Sequence, residues 1–261
     1  MKVYFITFAN KKGYFLAPAT YHTKRIVDEA TSSGYFDVVM DFSEEKLDTI
    51  FWQTHKKFIK QHQRGFGFWI WKPQITWQVL QTMHDGDILC YADAGSRIQK
   101  NPKAKKLMQH YIKKVAQSKY GFLSFQTHQP EQCFSKQDLL LFLKADNKIK
   151  TSGQLLGGIW LLKKSPHTIK LVKQWLHIAT HHDYHLLDDS PSSAPNHKNF
   201  REHRHDQAIL SILRKKYGAD ILPDHTKYIH RRSIPIVATR QYKKYWWRFL
   251  SRFWHKRFAT G

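Results

Sequence analysis

The chain has 261 residues, of which 43 are Lys or Arg and 20 are Asp or Glu, giving a formal charge of +23. That length holds one large α/β domain or two small ones with a real core, and no run reaches the roughly 18 apolar residues of a membrane span. Two cysteines, Cys90 and Cys133, are too few for a disulfide framework and lie in no metal-ligand spacing, which points to a reducing cytoplasm.

The N-terminus, MKVYFITFAN, has no cleavage-site plan and reads as a strand over residues 2–8. Residues 20–33 carry helical spacing up to Gly34, and YFDVVM (35–40) is a second strand. A helix follows over 47–61, with Ile50, Phe51, Thr54, Phe58 and Ile59 on one side. Gly65 and Gly67 break the chain in QRGFGFWIWKP. Pro73 then suits the first turn of a helix with Ile75, Val79 and Leu80 as its stripe. His84-Asp85-Gly86 turns into a strand over 88–91.

Residues 102–117 form a basic amphipathic helix, 121–125 a strand, and 135–144 the start of a capped helix. QLLGGIWLL (154–162) is an apolar strand with two central glycines. Ser165-Pro166 opens a helix through Ala179. A polar, His-rich segment, 181–199, is a loop suited to a mobile acceptor flap, and 204–217 is a helix closed by Gly218. Strands alternating with helices predict a mostly parallel α/β sheet.

The excess charge favours an anionic partner: nucleic acid, a membrane surface or a phosphorylated substrate. It is uneven, since no acid follows Asp224 while ten Lys and Arg do. In the tail, RQYKKYWWRFLSRFWHKRF, helical spacing puts Trp246, Leu250, Phe253 and Trp254 on one side, with Trp247 beside them. Arg248 and Arg252 belong to the basic remainder. A Trp/Phe/Leu face opposite Lys/Arg is the pattern of an interfacial helix on anionic lipid; the alternative is docking on the protein's own body. Residues 1–240 are therefore read as the main domain and 241–261 as a basic, aromatic amphipathic tail.

One stretch focuses the functional question. DGDILCYADAG (85–95) is an apolar strand that ends on Asp93. In an open α/β sheet, ligands bind beyond the C-terminal strand ends. A carboxylate there can hold a hard divalent cation that neutralises a diphosphate, or it can simply make a turn with Gly95. RGFGFWIWKP, DGDILCYADAG and EHRHDQAILSIL together resemble the GT-A (Rossmann-like) nucleotide-sugar glycosyltransferases, most closely bacterial enzymes of capsule, lipopolysaccharide and exopolysaccharide synthesis. The resemblance spans roughly residues 1–240.

The resemblance implies a nucleoside-diphosphate sugar donor, UDP-linked, and a glycan or lipid-linked acceptor. It also implies a place on the inner face of the plasma membrane, with no nucleic acid. Asp93-x-Gly95 looks like the family's Asp-x-Asp metal motif with its second acid replaced, so Mn²⁺ or Mg²⁺ is expected with fewer protein charges to hold it. Phe8, Ala9 and Asn10, Arg64 and Lys72, and Gly157 and Gly158 would border the donor. His203, His205 and Asp206 would border the reaction centre, with Asp206 orienting the acceptor hydroxyl or acting as its base. His230, or failing it His225, would be a further metal ligand.

Each assignment has a plainer counterpart. The aromatics around Gly65 and Gly67 can be core, Gly157-Gly158 can be a bulge, and Asp206 can be a helix cap. His177, His181, His182 and His185 invite a zinc reading but have no rigid ligand spacing. The runner-up function is a basic single-strand nucleic-acid binder, for which no RNA-module signature is present. A metal-dependent hydrolase would need clustered acids that the sequence lacks.

Overall fold

In the computed structural model, residues 1–10, 19–227 and 232–239 are described. Strands β1 (Val3–Phe8), β2 (Val38–Phe42), β3 (Ile88–Ala92), β5 (Phe122–Pro130), β6 (Gly153–Leu155), β7 (Ile159–Lys163) and β8 (Asp220–Pro223) form one sheet. Its order is β2-β1-β3-β7-β5-β6, with β8 also paired to β5. The β1–β2, β1–β3 and β5–β8 pairs are parallel, and β3–β7, β7–β5 and β5–β6 are antiparallel. All strands but β6 and β7 thus point the same way, and the expected mostly parallel α/β sheet is found. A small ribbon joins β4 (Arg97–Ile98) to β9 (Ile236–Val237).

Alternation along each strand splits the core in two. Val3 and Phe5 face one side of β1 with Ile88, Cys90, Leu123 and Leu161 of its neighbours. There they meet α1 (Ala19–Ser33) through Ile26 and Ala30, and α5 (Pro102–Gln117) through Met108, Tyr111 and Val115. Tyr4, Ile6 and Phe8 face the other side. That side is covered by α2 (Thr49–Gln61), the turn α3 (Gly65–Phe68), α4 (Trp71–Thr82), α9 (Pro166–Ala179) and α10 (His205–Tyr217). Three short helices, α6 (Glu131–Phe134), α7 (Gln137–Phe142) and α8 (Asn147–Thr151), lie between β5 and β6.

Helix ends follow local chemistry. Asp48, Asn101, Asp146 and Ser165 accept from backbone amides as N-caps, and Ser165 forms a full capping box with Thr168. Several boundaries differ from the expectations. The second strand starts at Val38 because Tyr35 is drawn into the core, its hydroxyl on the Gln99 carbonyl, and Asp37 caps the Val3 amide. On α2, Ile50 and Thr54 are exposed, and His55 turns inward with Phe51 and Phe58. The helix expected over 135–144 is the shorter α7, Gln137–Phe142, which starts after Lys136 because Lys136 is buried and its ammonium is claimed elsewhere.

The segment 154–162 is two strands rather than one. Gly157-Gly158 lets the chain leave the β5 edge as β6 and re-enter as β7 between β3 and β5. The His-rich segment is no mobile flap: it is pinned. The Lys136 ammonium donates to the Ser190 carbonyl and Asp188, and the His185 ring bridges Asp138 (2.6 Å) and Ser190 (2.9 Å). Burial alone would raise the Asp138 carboxyl, but hydrogen bonds from His185, Ser193 and Ala194 outweigh it and bring it down to about 2.

Candidate active site

β1 has β2 on one side and β3 on the other, with the β1–β2 connection running through α1 on one face and the β2–β3 connection through α2 and α4 on the other. The sheet therefore switches direction between β1 and β3, which is where open α/β sheets bind ligands. Asp93 follows β3 at this edge, and Asn10 follows β1. A cleft of about 350 Å³ opens beside it, lined in part by Lys72, Asp206, Gln207, Thr127, Asp224 and Lys227.

Three charged groups meet at its floor. The Lys72 ammonium lies 2.9 Å from Asp206 and 3.5 Å from Asp93. It also donates to the Gly157 carbonyl at 3.3 Å. Lys72 is 1% exposed and the Asp206 side chain 5%, whereas the Asp93 side chain is 23% exposed. Asp93 is further fixed by the Tyr91 hydroxyl (2.7 Å), and its amide donates to the Gly158 carbonyl. The ring of Tyr91 stacks on Trp160 beneath.

The glycines belong to this floor. The Gly157 amide donates to Gln207 (3.0 Å), whose own amide donates to Gln154 (2.7 Å). A Cβ on Gly157 would come within 2.8 Å of the Gln207 Cβ, so the close backbone approach is real. Arg214, two turns further along α10, is fully buried and donates to Ser124 and to the Leu155 and Leu156 carbonyls. Burial pushes its guanidinium down to about 9, against the pull of Glu131 and Asp206.

The RGFGFW stretch has an unusual backbone. Gly65, Phe66, Gly67, Phe68 and Trp69 all have φ between 51° and 80°, making one turn of left-handed helix. Its amides close back in α-like fashion, Phe68 onto Arg64 and Trp69 onto Gly65. Left-handed conformation costs roughly 1–2 kcal/mol at each non-glycine residue, and such strain concentrates at functional sites. The turn presents Phe68 and Trp69 to the His205 ring, at 4.7 and 5.4 Å. His205, itself at φ 45°, opens α10 and donates from Nδ1 to the Leu187 carbonyl.

The sequence-expected residues sort as follows. Lys72, Asp93, Asp206, Gly157 and Gly158 come together, and Arg64 and His205 line the same cleft. Asp206 is no helix cap; it lies in the first turn of α10 and pairs with Lys72. Lys72 spends its ammonium on carboxylates and a carbonyl rather than presenting it to a donor. Arg64 is half exposed and paired with Asp189 (3.0 Å) and Glu202 (3.8 Å). Phe8 is buried and stacked on Trp71 at 3.8 Å, which removes it from direct donor contact. Ala9 and Asn10 are half-buried at the strand exit.

His203 is a core residue, not a reaction-centre group. Its ring takes the Lys136 amide and meets the Leu186 carbonyl, and burial first, then His205 and Lys136, hold it well below its usual range. His225 packs on Phe125 and hydrogen-bonds Tyr111. Gly95 is exposed with open space around it, its carbonyl taken by Thr239. Arg25 clamps the same loop through the Ala94 and Ser96 carbonyls. His230, Trp246, Trp247, Arg248, Leu250, Arg252, Phe253 and Trp254 lie outside the described residues.

The described residues form no all-protein cage for Mn²⁺ or Mg²⁺. Gly95 supplies no second carboxylate, and an ammonium already lies between Asp93 and Asp206. Among the described residues, no three His, Cys, Asp or Glu side chains converge; the His177–His185 zinc reading finds no support there either.

Several site residues escaped the sequence reading: Tyr91, Gln207, Gln154, Arg214, Arg204, Asp224, Thr226 and Lys227. A signal existed for Tyr91, because period two places it on the same strand face as Asp93.

No family model and no curated protein matches the chain. Among solved structures it is similar to a glycosyltransferase involved in glycosylating the major capsid of PBCV-1, at 12% identity and TM-score 0.39, covering 70% of this chain and 69% of that one. It is also similar to apo mouse xyloside xylosyltransferase 1, at 12% identity and TM-score 0.45, covering 85% and 84%. A third is the apo glycosyltransferase GlyE of Streptococcus pneumoniae TIGR4, at 11% and 0.40, covering 85% and 45%. Likeness at this level adds no functional argument; the residues of the cleft have to supply it.

Proposed function

We propose that this chain is a glycosyltransferase of the hexosyltransferase class. It moves a sugar from a nucleoside-diphosphate donor, UDP-linked, to a lipid-linked or growing surface-polysaccharide acceptor at an anionic membrane. The observation that supports this most is the Asp93–Lys72–Asp206 cluster, at the strand-end edge where the sheet changes direction. The combined motifs that resemble the GT-A enzymes meet at that one place.

In this reading the donor lies across Asn10 and the Asp93 loop, and the acceptor enters through the cleft bordered by Thr127, Asp224 and Lys227. The acceptor oxygen forms a bond to the anomeric carbon, the bond to the diphosphate oxygen breaks, and the nucleoside diphosphate leaves. Asp206 accepts the acceptor hydroxyl's hydrogen bond, holds that oxygen in line and takes its proton as the bond to the anomeric carbon forms. Lys72 compensates the Asp206 charge in a nearly water-free place. Arg64 and Lys227, both at the cleft, take up charge developing on the leaving diphosphate.

The test is a thermal-shift panel of UDP-, GDP-, CMP- and dTDP-sugars, followed by transfer assays on Asp93→Asn and Asp206→Asn. A ligand that binds the native state raises its melting temperature by mass action. The expected result is a shift with UDP-sugars that Asp206→Asn keeps while transfer is lost. No shift with any donor would overturn the reading.

A further inference from the structure

The basic helix α5 plays no part in the cleft, and its charge is one-sided. Between Ala94 and Pro130 the chain has eight Lys and Arg and no acid. Five of the eight are on α5: Lys103, Lys105, Lys106, Lys113 and Lys114. The first four of these are exposed, while Ala104, Met108, Tyr111 and Val115 bury the opposite face. None of the salt bridges among the described residues uses an α5 lysine.

This arrangement is not what helix stability asks for. Lys103, Lys105 and Lys106 crowd the first turns, where the macrodipole favours acids, and no acid lies there. A merely solvated helix gains from opposite charges three or four residues apart; α5 has none. The face extends past the helix through exposed Arg97 and Lys100 at one end and Lys119 at the other.

The described chain also ends beside this face. β9 pairs with β4 just before α5, the Gln99 amide donates to the Pro235 carbonyl, and Asn101 donates to the Arg232 carbonyl. Residues 240–261 follow directly from there, with seven Lys and Arg, no acid, and Trp246, Trp247, Phe253 and Trp254. The sequence that follows the described residues is thus acid-free and basic, as α5 is, and its aromatics are suited to a lipid interface.

We propose that the exposed face of α5, with Arg97 and Lys100, docks flat on an anionic lipid bilayer as a second contact beside the tail. The occupant is lipid rather than nucleic acid because the adjoining segment offers an apolar, Trp-rich complement that phosphate-backbone binding does not need. The contact extends the membrane association proposed above, and it requires no sugar transfer. A contact on the rigid body of the protein fixes how that body sits on the bilayer.

The test is co-sedimentation of the full chain with phosphatidylcholine vesicles, with and without phosphatidylglycerol. The variants are Lys103→Glu/Lys106→Glu/Lys113→Glu and the milder Lys103→Gln/Lys106→Gln/Lys113→Gln. No donor is present, so the outcome is independent of the transferase reading. Each basic residue near such a surface contributes about fivefold, so the triple glutamine variant should bind anionic vesicles roughly a hundredfold more weakly and the triple glutamate variant more weakly still. Both should be unchanged on phosphatidylcholine alone. Acids in the first turns of α5 favour the helix, so the glutamate variant is expected to fold, and the glutamine variant covers the case in which it does not. Unchanged affinity of both variants for anionic vesicles overturns the proposal. So does single-stranded RNA that binds the wild type more tightly than the vesicles do and loses affinity in the same variants.

Discussion

Lys72→Met should destabilise the protein markedly while leaving its shape intact. Met keeps the length of the side-chain stem but removes the ammonium that lies 2.9 Å from Asp206 and 3.5 Å from Asp93. Two carboxylates, one of them only 5% exposed, would then face each other without compensation. Removing one partner of a buried ion pair costs about 3–5 kcal/mol, and in a chain of this size each kcal/mol shifts the melting temperature by roughly 2–4 °C. Scanning calorimetry at pH 7 should therefore show a fall of about 10 °C. Adding Asp206→Asn in the Lys72→Met background should recover part of the loss, because it removes the charge left stranded; the double-mutant cycle measures that coupling directly. A Lys72→Met melting temperature within about 2 °C of wild type would mean the ammonium is not paired in solution, and the site argument would collapse with it.

Stability should also fall between pH 6.5 and 5.5. Burial holds His203 well below, and His205 below, the usual histidine range, so the unfolded chain takes up protons that the folded chain resists. Their contribution is present above the unfolded value near 6.5 and is lost as pH falls, by roughly 1.4 kcal/mol for His203 at one unit below and by less for His205. A urea titration at both pH values checks this, and His203→Gln should flatten the slope. Gly157→Ala should cut transfer and lower the melting temperature, since the new Cβ would lie 2.8 Å from the Gln207 Cβ; an unperturbed variant would mean the contact is slack. Tyr91→Phe removes the hydrogen bond that orients Asp93 and should reduce transfer while moving stability by only about 1 kcal/mol; equal activity would make the bond incidental.

Much of the sheet was legible because strand and helix periods are local. VYFITF, ILCYA and the Ser165-Pro166 helix start carry their own signals, and they appear within a residue or two of where spacing puts them. The errors fall where a distant partner overrules local preference. Aromatic Tyr35 and Phe36 look like strand, yet the core and the Gln99 carbonyl take them out of it. QLLGGIWLL looks like one strand, but β7 is inserted between β3 and β5 and β6 is not, a fact of topology that no nine-residue window contains. His203 reads like its neighbour His205, and only the position of residues 185–190 buries one against Lys136 and turns the other toward the cleft.

The site shows the same division more sharply. Lys72, Asp93 and Asp206 could each be picked out, because a charged residue at the start of a helix or the tip of a buried strand is conspicuous. Their relation could not, since it depends on α4, β3 and α10 converging from positions 21 and 113 residues apart. That convergence changes the chemistry assigned to them. A lysine read as a hand for diphosphate is the counter-ion of both acids. With Lys72 between Asp93 and Asp206, one positive charge is shared by two acids that lie far apart in the sequence.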